Sequence, residues 1–237
     1  MDEQKKGTLS RRDFGKLGAA TTFAVLSSQG AAAQNSDTLK VGLLGCGGRG
    51  TGAALNMLQG ENNVSLIALA DVFEDRVSGA RQRLEGHNDT NITNQLAITD
   101  DHCFVGIDAY KQILKTDIDI LIEATPPYAR PKHVAAAVDA GKHIFAEKPV
   151  AVDPAGMRQF LAAMKKHKAM GLSYVAGTQR RHHLGYQETI KKLQDGAIGD
   201  IVAMRVYWND ELPWAHDREE GWSDLEYRIR NWYSYCW

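Results

Sequence analysis

The chain has little of what cross-links small folds or kinks helices, with three cysteines and six prolines among 237 residues. Cys46, Cys103 and Cys236 are odd in number and widely spaced, so they match neither a disulfide framework nor a metal-binding set. A net charge of −1 gives no basic surface for nucleic acid or an anionic membrane. There is no internal repeat and no low-complexity linker. The remaining composition is that of a globular protein long enough to bury a core.

Apolar runs long enough to span a bilayer are also missing, and the N-terminus has the layout of an export signal. Arg11 and Arg12 are followed by a mildly apolar stretch at 17–26 and by Ala31-Ala32-Ala33, an A-x-A cleavage site. Basic, then apolar, then small residues is the order found in a twin-arginine signal. A frayed basic tail is the alternative. We predict that residues 1–33 are an export signal and that the mature protein is periplasmic or secreted.

A short apolar run, Leu39–Leu44, has the composition of a strand buried on both faces. It leads into a G-x-G-x-x-G pattern, and a helical pattern begins at Gly52. In this context the first glycine permits a tight turn, the second lets a pyrophosphate approach, and the third lets helix and strand pack closely. An ordinary glycine-rich turn is the alternative. The pattern predicts pyrophosphate binding at the start of the helix, by Gly45, Cys46, Gly47, Gly48, Arg49 and Gly50.

A second strand pattern, at 64–70, ends at Asp71, which lies 21 positions after Gly50. An acidic residue about 20 positions beyond the glycines, at the end of a strand, is where adenine ribose hydroxyls are bound. A role for Asp71 as cap of the next helix is a compatible alternative. No basic residue follows Asp71 at once, which favours NAD, while Arg76 and Arg81 keep NADP open.

Strand and helix patterns alternate, with short connections, up to residue 175. Strands are predicted at 39–44, 64–70, 104–106, 118–124, 142–146 and 170–175, and helices at 50–59, 74–85, 108–114, 133–140 and 155–168. The last of these helices opens on Asp153-Pro154, a cap followed by a first-turn proline. Segment 86–101 is predicted to be a polar surface loop. The alternation predicts an α/β fold with a Rossmann-type, doubly wound parallel sheet.

Polar or conformationally special residues directly follow several of these strands. Because the carboxyl ends of parallel strands meet at one edge, we expect a ligand to lie across them. The clusters are Gly45–Gly50, Asp71, Thr125-Pro126-Pro127, Glu147-Lys148-Pro149 and Ala176-Gly177-Thr178-Gln179. Lys148 is expected to project into the cleft and to donate to, or exchange a proton with, a substrate hydroxyl. A surface turn with a salt bridge is the alternative for Glu147-Lys148.

Five segments together carry a family resemblance: the glycine loop, Ala124-Thr125-Pro126, Ala140-Gly141-Lys142-His143, Glu147-Lys148-Pro149 and Gly177-Thr178-Gln179-Arg180-Arg181. They resemble the Gfo/Idh/MocA family, the glucose-fructose oxidoreductase and inositol dehydrogenase group. The resemblance implies a Rossmann domain that binds NAD or NADP, followed by an α/β domain with an open, mostly antiparallel sheet. It implies hydride transfer between a nicotinamide and a carbon of a sugar or cyclitol, with Lys148 in the active site. It also implies that Thr125, Pro126 and His133 flank the nicotinamide side and that Glu147 and Gln179 contact the cofactor.

The chain departs from the family pattern near its end. Relatives carry a second-domain histidine as the usual acid/base, and we expect His182, His183 and His216 to be helix-start or loop histidines instead. A predicted helix at 186–193 and a predicted strand at 201–208 are too little to cover so aromatic an end. All five tryptophans fall there, at Trp208, Trp214, Trp222, Trp232 and Trp237. We therefore expect a C-terminally truncated chain that binds the cofactor but turns over poorly.

The sequence thus predicts an export signal at 1–33, a NAD(P)-binding Rossmann domain at 38–176, and the beginning of a substrate and oligomerisation domain at 177–237. The expected partners are a small sugar-like substrate, the twin-arginine translocase during export and, for the full-length form, further copies of itself. No nucleic acid, metal or stable membrane span is expected. Two alternative functions stay open: an NAD-dependent glycosidase of the same family, and a non-catalytic module that binds a nucleotide or sugar.

Overall fold

The structure is a computed structural model that describes residues 38–61, 63–209 and 214–235. The predicted export signal at 1–33 and Cys236 lie outside the described residues. Within those ranges, no helix combines the length and the apolar character needed to cross a membrane. The described part of the chain also holds no group of three or more potential metal ligands, and its two cysteines, Cys46 and Cys103, are unpaired thiols.

Six parallel strands form one sheet in the order β3-β2-β1-β4-β5-β6. They are β1 (Leu39–Leu44), β2 (Val64–Asp71), β3 (Cys103–Val105), β4 (Ile120–Glu123), β5 (His143–Ala146) and β6 (Tyr174–Ala176). This is the strand order of a doubly wound Rossmann sheet, so the predicted fold class is confirmed. The order reverses between β1 and β4, and a crevice therefore opens at their carboxyl ends.

Helices cover both faces of the sheet. One face carries α1 (Gly48–Gly60), α2 (Glu74–Glu85) and α3 (Thr90–Thr93), and the other carries α4 (Ala109–Ile113), α5 (Arg130–Asp139) and α6 (Pro154–Ala169). Each face has its own core because successive strand residues point to opposite sides. Leu43 and Leu44 of β1, for example, enter different cores. Asp153 caps α6 as predicted, its side chain accepting from the Gly156 amide at 2.8 Å.

Segment 86–101 differs from the predicted polar loop. It contains α3, and the side chain of Asp89 caps that helix by accepting from the Asn91 amide. Ile92 is fully buried, and the Leu66 amide on β2 donates to the carbonyl of Gln95. A few apolar residues among many polar ones, Ile92 above all, thus fold the segment back onto the sheet.

The chain beyond β6 contains only helices as regular structure in its described parts. They are α7 (Gln179–His182), α8 (Leu184–Gln194), α9 (Asp224–Arg230) and α10 (Trp232–Tyr235). Residues 201–208, predicted as a strand, form no regular structure and are exposed, Val202 to 95%. An apolar run needs a neighbouring strand to complete its hydrogen bonds, and no described strand lies beside it. Residues 214–232, by contrast, pack at the carboxyl edge of the sheet, as described below.

Candidate functional site

The glycine turn between β1 and α1 is shaped by two close approaches. Gly45 has φ +96°, and a Cβ placed on it would lie 2.6 Å from the Ala124 backbone. A Cβ on Gly50 would lie 1.8 Å from the carbonyl oxygen of Gly45. A Cβ on Gly47, by contrast, would meet nothing within 4 Å. The first and third glycines are therefore required by the fold, whereas Gly47 leaves open space at the start of α1.

Gly47 is also the N-cap of α1, and no side chain caps the helix there. The amide groups of the first turn of a helix have no partners within the helix and carry its positive end. Open space beside uncapped amides is the arrangement that binds a phosphate group.

Asp71 ends β2 next to this turn. Its Oδ2 accepts from the Cys46 amide at 2.7 Å, and its Oδ1 accepts from the Phe73 amide at 3.1 Å. Burial raises the pKa of the Asp71 carboxyl, and the two amide donors offset this only in part. A carboxylate has about four acceptor positions, so roughly two remain for a ligand.

Glu123 ends β4 and is completely buried. Its Oε2 accepts from Arg130 Nε at 2.6 Å, and its Oε1 accepts from the Thr125 hydroxyl and lies 3.3 Å from His133 Nδ1. Burial alone would raise the pKa of the Glu123 carboxyl. The hydrogen bond from His133 and the charge of Arg130 outweigh burial, and the pKa lies below its usual value.

Arg130, itself buried, joins the loops that follow β4 and β5. Besides Glu123, its guanidinium donates to the carbonyl oxygens of Thr125 and Pro149. Arg130 therefore ties the loop that begins at Thr125 to the turn that contains Lys148 and Pro149. The pairing of one buried guanidinium with a carboxylate and two carbonyls satisfies the charge while fixing both loops.

A cavity of about 650 Å³ lies along this edge and has two walls. The first wall comes from the Rossmann fold and includes the glycine turn, Asp71, Phe73, Arg76, Tyr110, Thr125, Pro126 and His133. The second wall comes from residues 214–232 and consists of Trp214, His216, Leu225, Ile229, Arg230 and Trp232.

Most of the predicted site residues line this cavity: Gly45, Gly47, Gly48, Arg49, Gly50, Asp71, Thr125, Pro126 and His133. Four lie outside its lining. Cys46 is buried, with its thiol 3.5 Å from the Ala70 carbonyl, and burial raises the pKa of that thiol. Gln179 is exposed as the first residue of α7.

The other two are Glu147 and Lys148, which follow β5. Glu147 forms an ion pair with Arg49 of the glycine turn, at 3.1 Å. Lys148 is exposed beside it. Because β5 lies on the far side of β4 from β1, this turn extends the edge beyond the cavity, away from Asp71.

Sequence reasoning missed the second wall and the Glu123–Arg130 pair. The pair left a signal, a carboxylate closing an apolar strand with an arginine seven positions later. The only sequence signal for the second wall was the large number of aromatic residues near the C-terminal end, and this signal does not indicate what those residues contact. Of the three histidines weighed there, His183 is the N-cap of α8 and His216 lies in a loop, as predicted, whereas His182 is the last residue of α7 and so is neither a helix-start nor a loop residue.

The residues present fit an adenine dinucleotide. The open space at Gly47 and the uncapped amides of α1 suit a diphosphate, and the remaining acceptor positions of Asp71 suit ribose hydroxyls. Both border the same cavity. Fold and site together define a dinucleotide-binding protein of the Rossmann type.

The chain belongs to the Gfo/Idh/MocA oxidoreductase family. The family model, described as an oxidoreductase family with an NAD-binding Rossmann fold, matches residues 39–175. The family match includes the whole first wall and none of the second.

The chain is similar to curated proteins that are named as an inositol dehydrogenase and a glycosyl hydrolase. The chain is 28% identical over 167 residues to inositol 2-dehydrogenase 4 of Saccharopolyspora erythraea, covering 70% of this chain and 44% of the relative. It is 28% identical over 151 residues to a glycosyl hydrolase family 109 protein of Solibacter usitatus, covering 60% of this chain and 33% of the relative. The chain thus spans less than half the length of these relatives.

Solved structures agree on the fold. The scyllo-inositol dehydrogenase of Lactobacillus casei, solved with bound NAD(H) and scyllo-inositol, aligns with a TM-score of 0.55 at 22% identity, over 69% of this chain and 43% of that one. A 3-ketoreductase of Actinomadura kijaniata in complex with NADP aligns with a TM-score of 0.52 at 22% identity, over 69% and 46%.

Proposed function

We propose that the chain is the cofactor-binding part of an NAD(P)-dependent oxidoreductase that transfers a hydride between a nicotinamide and a sugar or cyclitol carbon. The observation that carries the proposal is the shared cavity of Gly47, Asp71 and Thr125 at the point where the sheet order reverses. Family membership and the likeness to an inositol 2-dehydrogenase support the reaction type and the substrate class.

In this proposal the residues divide the dinucleotide between them. The amides at the start of α1 bind the diphosphate, and Asp71 accepts from the adenine ribose hydroxyls. The two acceptor positions left on Asp71 suit the two hydroxyls of the adenine ribose in NAD, one of which is phosphorylated in NADP. We therefore propose NAD as the preferred cofactor. Thr125 and His133, fixed by Glu123, border the path toward the nicotinamide. The nicotinamide, when bound, supplies the hydride acceptor or donor.

Lys148 is proposed to orient the substrate hydroxyl and to lower its pKa. An ammonium group beside a hydroxyl favours loss of the proton as the carbon is oxidised. Arg130 supports this role because it binds the carbonyl of the next residue, Pro149. In the full-length protein, Lys148→Ala is expected to abolish turnover while NADH binding is retained.

A hydrolytic reaction is the second candidate, favoured by the likeness to the glycosyl hydrolase family 109 protein. The two reactions share the cofactor site and differ in substrate. Assaying the full-length protein with aryl glycosides and with free sugars in parallel separates them, since a glycosidase releases the aryl alcohol without net reduction of NAD.

We further propose export by the twin-arginine pathway, on the basis of Arg11, Arg12 and the Ala31-Ala32-Ala33 site. Replacing both arginines with lysine is expected to retain the protein inside the cell. Export that continues in a strain lacking the translocase would contradict this proposal.

Gly47 offers the sharpest test of cofactor binding. The Cβ of Gly47→Val meets nothing within 4 Å and the dihedral angles are ordinary (φ −68°, ψ −179°), so we expect the fold to be retained while the diphosphate position is filled. We expect the affinity for NADH, measured by fluorescence titration, to fall by about 100-fold or more, as loss of several phosphate contacts requires.

Gly52→Ala is the matched control. Its Cβ also meets nothing within 4 Å, but Gly52 does not line the cavity. NADH affinity should therefore stay at the wild-type value. Equal NADH affinity in wild type and Gly47→Val, with both variants folded by circular dichroism, would refute the site.

A further inference from the structure

Residues 214–232 supply the second wall of the cavity although they lie outside the part of the chain that matches the family model. Their placement is specific. The side chain of the buried Asn231 accepts from the His216 amide at 2.7 Å and donates to the His216 carbonyl at 3.2 Å. Trp214 and Trp232 contact each other edge to face, with ring centroids 6.1 Å apart. Hydrogen bonds and a ring contact within the segment thus hold its two ends together.

One side chain, Arg230, fastens this segment to the Rossmann fold. Its two terminal nitrogens donate to the two carboxylate oxygens of Asp75 at 3.1 and 2.8 Å. The guanidinium also lies between two rings, 3.9 Å from the centroid of Phe73 and 4.7 Å from that of Trp222. Glu226, one turn earlier on α9, accepts from Arg230 Nε at 3.0 Å. The side chain of Arg230 is only 12% exposed, so its contacts with the two rings are largely shielded from water, whereas Asp75 is 58% exposed and leaves the ion pair open to solvent on that side.

The attachment point adjoins the predicted ribose site. Phe73 and Asp75 follow Asp71 by two and four positions, and the Phe73 amide is one of the two donors that orient the Asp71 carboxylate. On the facing side, Leu225 and Ile229 of α9 line the cavity with apolar surface, which suits the flat face of an adenine ring.

We propose that Arg230 is a positioning residue that fixes residues 214–232 over the adenosine half of the bound dinucleotide, making this segment part of the adenosine site. The proposal rests on the dinucleotide binding proposed above. Arg230 does not act by binding phosphate, because Asp75 and Glu226 already neutralise its charge.

The test uses ADP, which carries the adenosine half and the diphosphate but no nicotinamide. Tryptophan emission reports on the chain from position 208 onward and on nothing in the Rossmann fold, and three of the five tryptophans, at 214, 222 and 232, lie in residues 214–232. In the wild-type chain, saturating ADP is expected to shift this emission and to protect it from quenching by acrylamide. ADP affinity is measured from the same titration.

Arg230→Leu is expected to weaken ADP binding by about tenfold, the size expected for a shielded cation–π contact and a bidentate ion pair acting together. The protection from acrylamide should be lost. Arg230→Lys, which keeps the charge but not the bidentate geometry, should give an intermediate affinity. Asp75→Asn loosens the same contact from an exposed position, and it should follow Arg230→Leu in direction.

Arg81→Leu is the matched control. Arg81 likewise bonds two carboxylates, Glu85 at 2.8 Å and Asp100 at 2.5 Å, but it does not line the cavity. Its removal should leave ADP affinity unchanged. ADP affinity that is unchanged in Arg230→Leu and Asp75→Asn would overturn this inference while leaving the proposed function intact. A wild-type chain that binds neither ADP nor NADH would overturn both.

Discussion

Asp71 ends β2 and Glu123 ends β4, the two strands that flank β1, yet the two carboxylates differ in burial and in their hydrogen-bond partners. Glu123 is fully buried and receives a guanidinium, a hydroxyl and an imidazole contact. Asp71 receives two backbone amides and lines the cavity. Their pKa values move in opposite directions, below the usual value for Glu123 and above it for Asp71.

The difference separates a structural carboxylate from a binding one. The carboxylate of Glu123 already accepts hydrogen bonds from within the protein, so it has no acceptor position to offer a ligand. Asp71 keeps acceptor positions, and its hydrogen bonds come from backbone amides rather than from a charged side chain. Burial of an ionised group with few partners costs free energy, and a ligand that donates hydrogen bonds to it recovers part of that cost.

Glu123→Gln should have the largest effect, because it leaves the Arg130 guanidinium buried without its counter-charge. We expect the free energy of unfolding to fall by about 3–5 kcal/mol, as for other buried pairs broken at one partner. Denaturant titration measures this. A double variant that combines Glu123→Gln with Arg130→Met should recover part of the lost free energy of unfolding, because it also removes the unpaired charge of the guanidinium.

A loss below about 1 kcal/mol in Glu123→Gln would contradict the structural assignment, because that is the range of exposed pairs. NADH affinity measured on the folded fraction should change far less than stability does.

The pH dependence of stability should carry opposite contributions from the two carboxylates. The ordinary pKa of a glutamate is 4.5, and that of folded Glu123 lies below it. Its stabilisation is therefore complete above pH 4.5 and is lost as the pH falls through the folded pKa. The pKa of folded Asp71 lies above the ordinary 3.8. The contribution of Asp71 to the free energy of unfolding therefore increases as the pH falls through this raised pKa, and it stops changing below about pH 3.8.

Urea midpoints of wild type, Glu123→Gln and Asp71→Asn, measured from pH 6 to about pH 3, separate the two contributions. Glu123→Gln should flatten the acid side of the profile, and Asp71→Asn should steepen it. Profiles that are parallel in all three proteins would contradict the opposite pKa shifts.

Much of the first wall follows from local sequence, which explains why it was predictable. A strand, a G-x-G-x-x-G turn and an acidic strand end are set by residues within about 35 positions of one another. Apolar periodicity locates the strands along the chain. How the strands are arranged in the sheet follows only from the general rule that crossover connections are right-handed. The burial of Glu123 against Arg130 was not predicted, because a charged residue at a strand end reads equally as a ligand or as half of an ion pair.

The second wall was not predictable for a different reason. The bonds between Arg230 and Asp75 join residues 155 positions apart, and nothing local to either residue indicates the other. The same limit explains residues 201–208, whose apolar run predicts a strand only if a neighbouring strand exists. Sequence pattern describes what a segment can bury, whereas the partner is set by tertiary packing.

Asp71→Asn should have an intermediate effect, seen in binding rather than in folding. The amide keeps one acceptor and loses the charge, so we expect NADH affinity to fall by about 10- to 100-fold, the range for hydrogen bonds to a charged group. The free energy of unfolding should change by less than about 1 kcal/mol. The variant loses a hydrogen bond from a backbone amide, but it also no longer pays the cost of placing a charged group away from water. NADPH should lose less affinity than NADH, since its 2′-phosphate is no longer repelled.

Unchanged NADH affinity in Asp71→Asn would remove Asp71 from the cofactor site and leave it as a cap of the turn at Phe73. Isothermal titration with both nucleotides gives the ratio directly.

A third strand-end carboxylate, Glu147, should give the smallest effect. It is buried like Glu123, but its partner Arg49 is 58% exposed, and the pair at 3.1 Å is therefore open to solvent. Gly177 leaves room for the carboxylate, since a Cβ there would lie 2.7 Å from it. Glu147→Gln keeps that shape, so we expect a loss of stability below about 1 kcal/mol, typical of solvent-screened pairs.

Arg49→Gln is the companion variant, because it removes the other half of the same pair from the rim of the cavity. The two single variants and the double variant should cost nearly the same, as when one weak interaction is removed in each. NADH affinity should fall only in the two variants that lack Arg49, since Arg49 alone borders the diphosphate position. A loss in Glu147→Gln as large as in Glu123→Gln would instead mean that the Lys148 turn is fixed by Glu147 and not by Arg130.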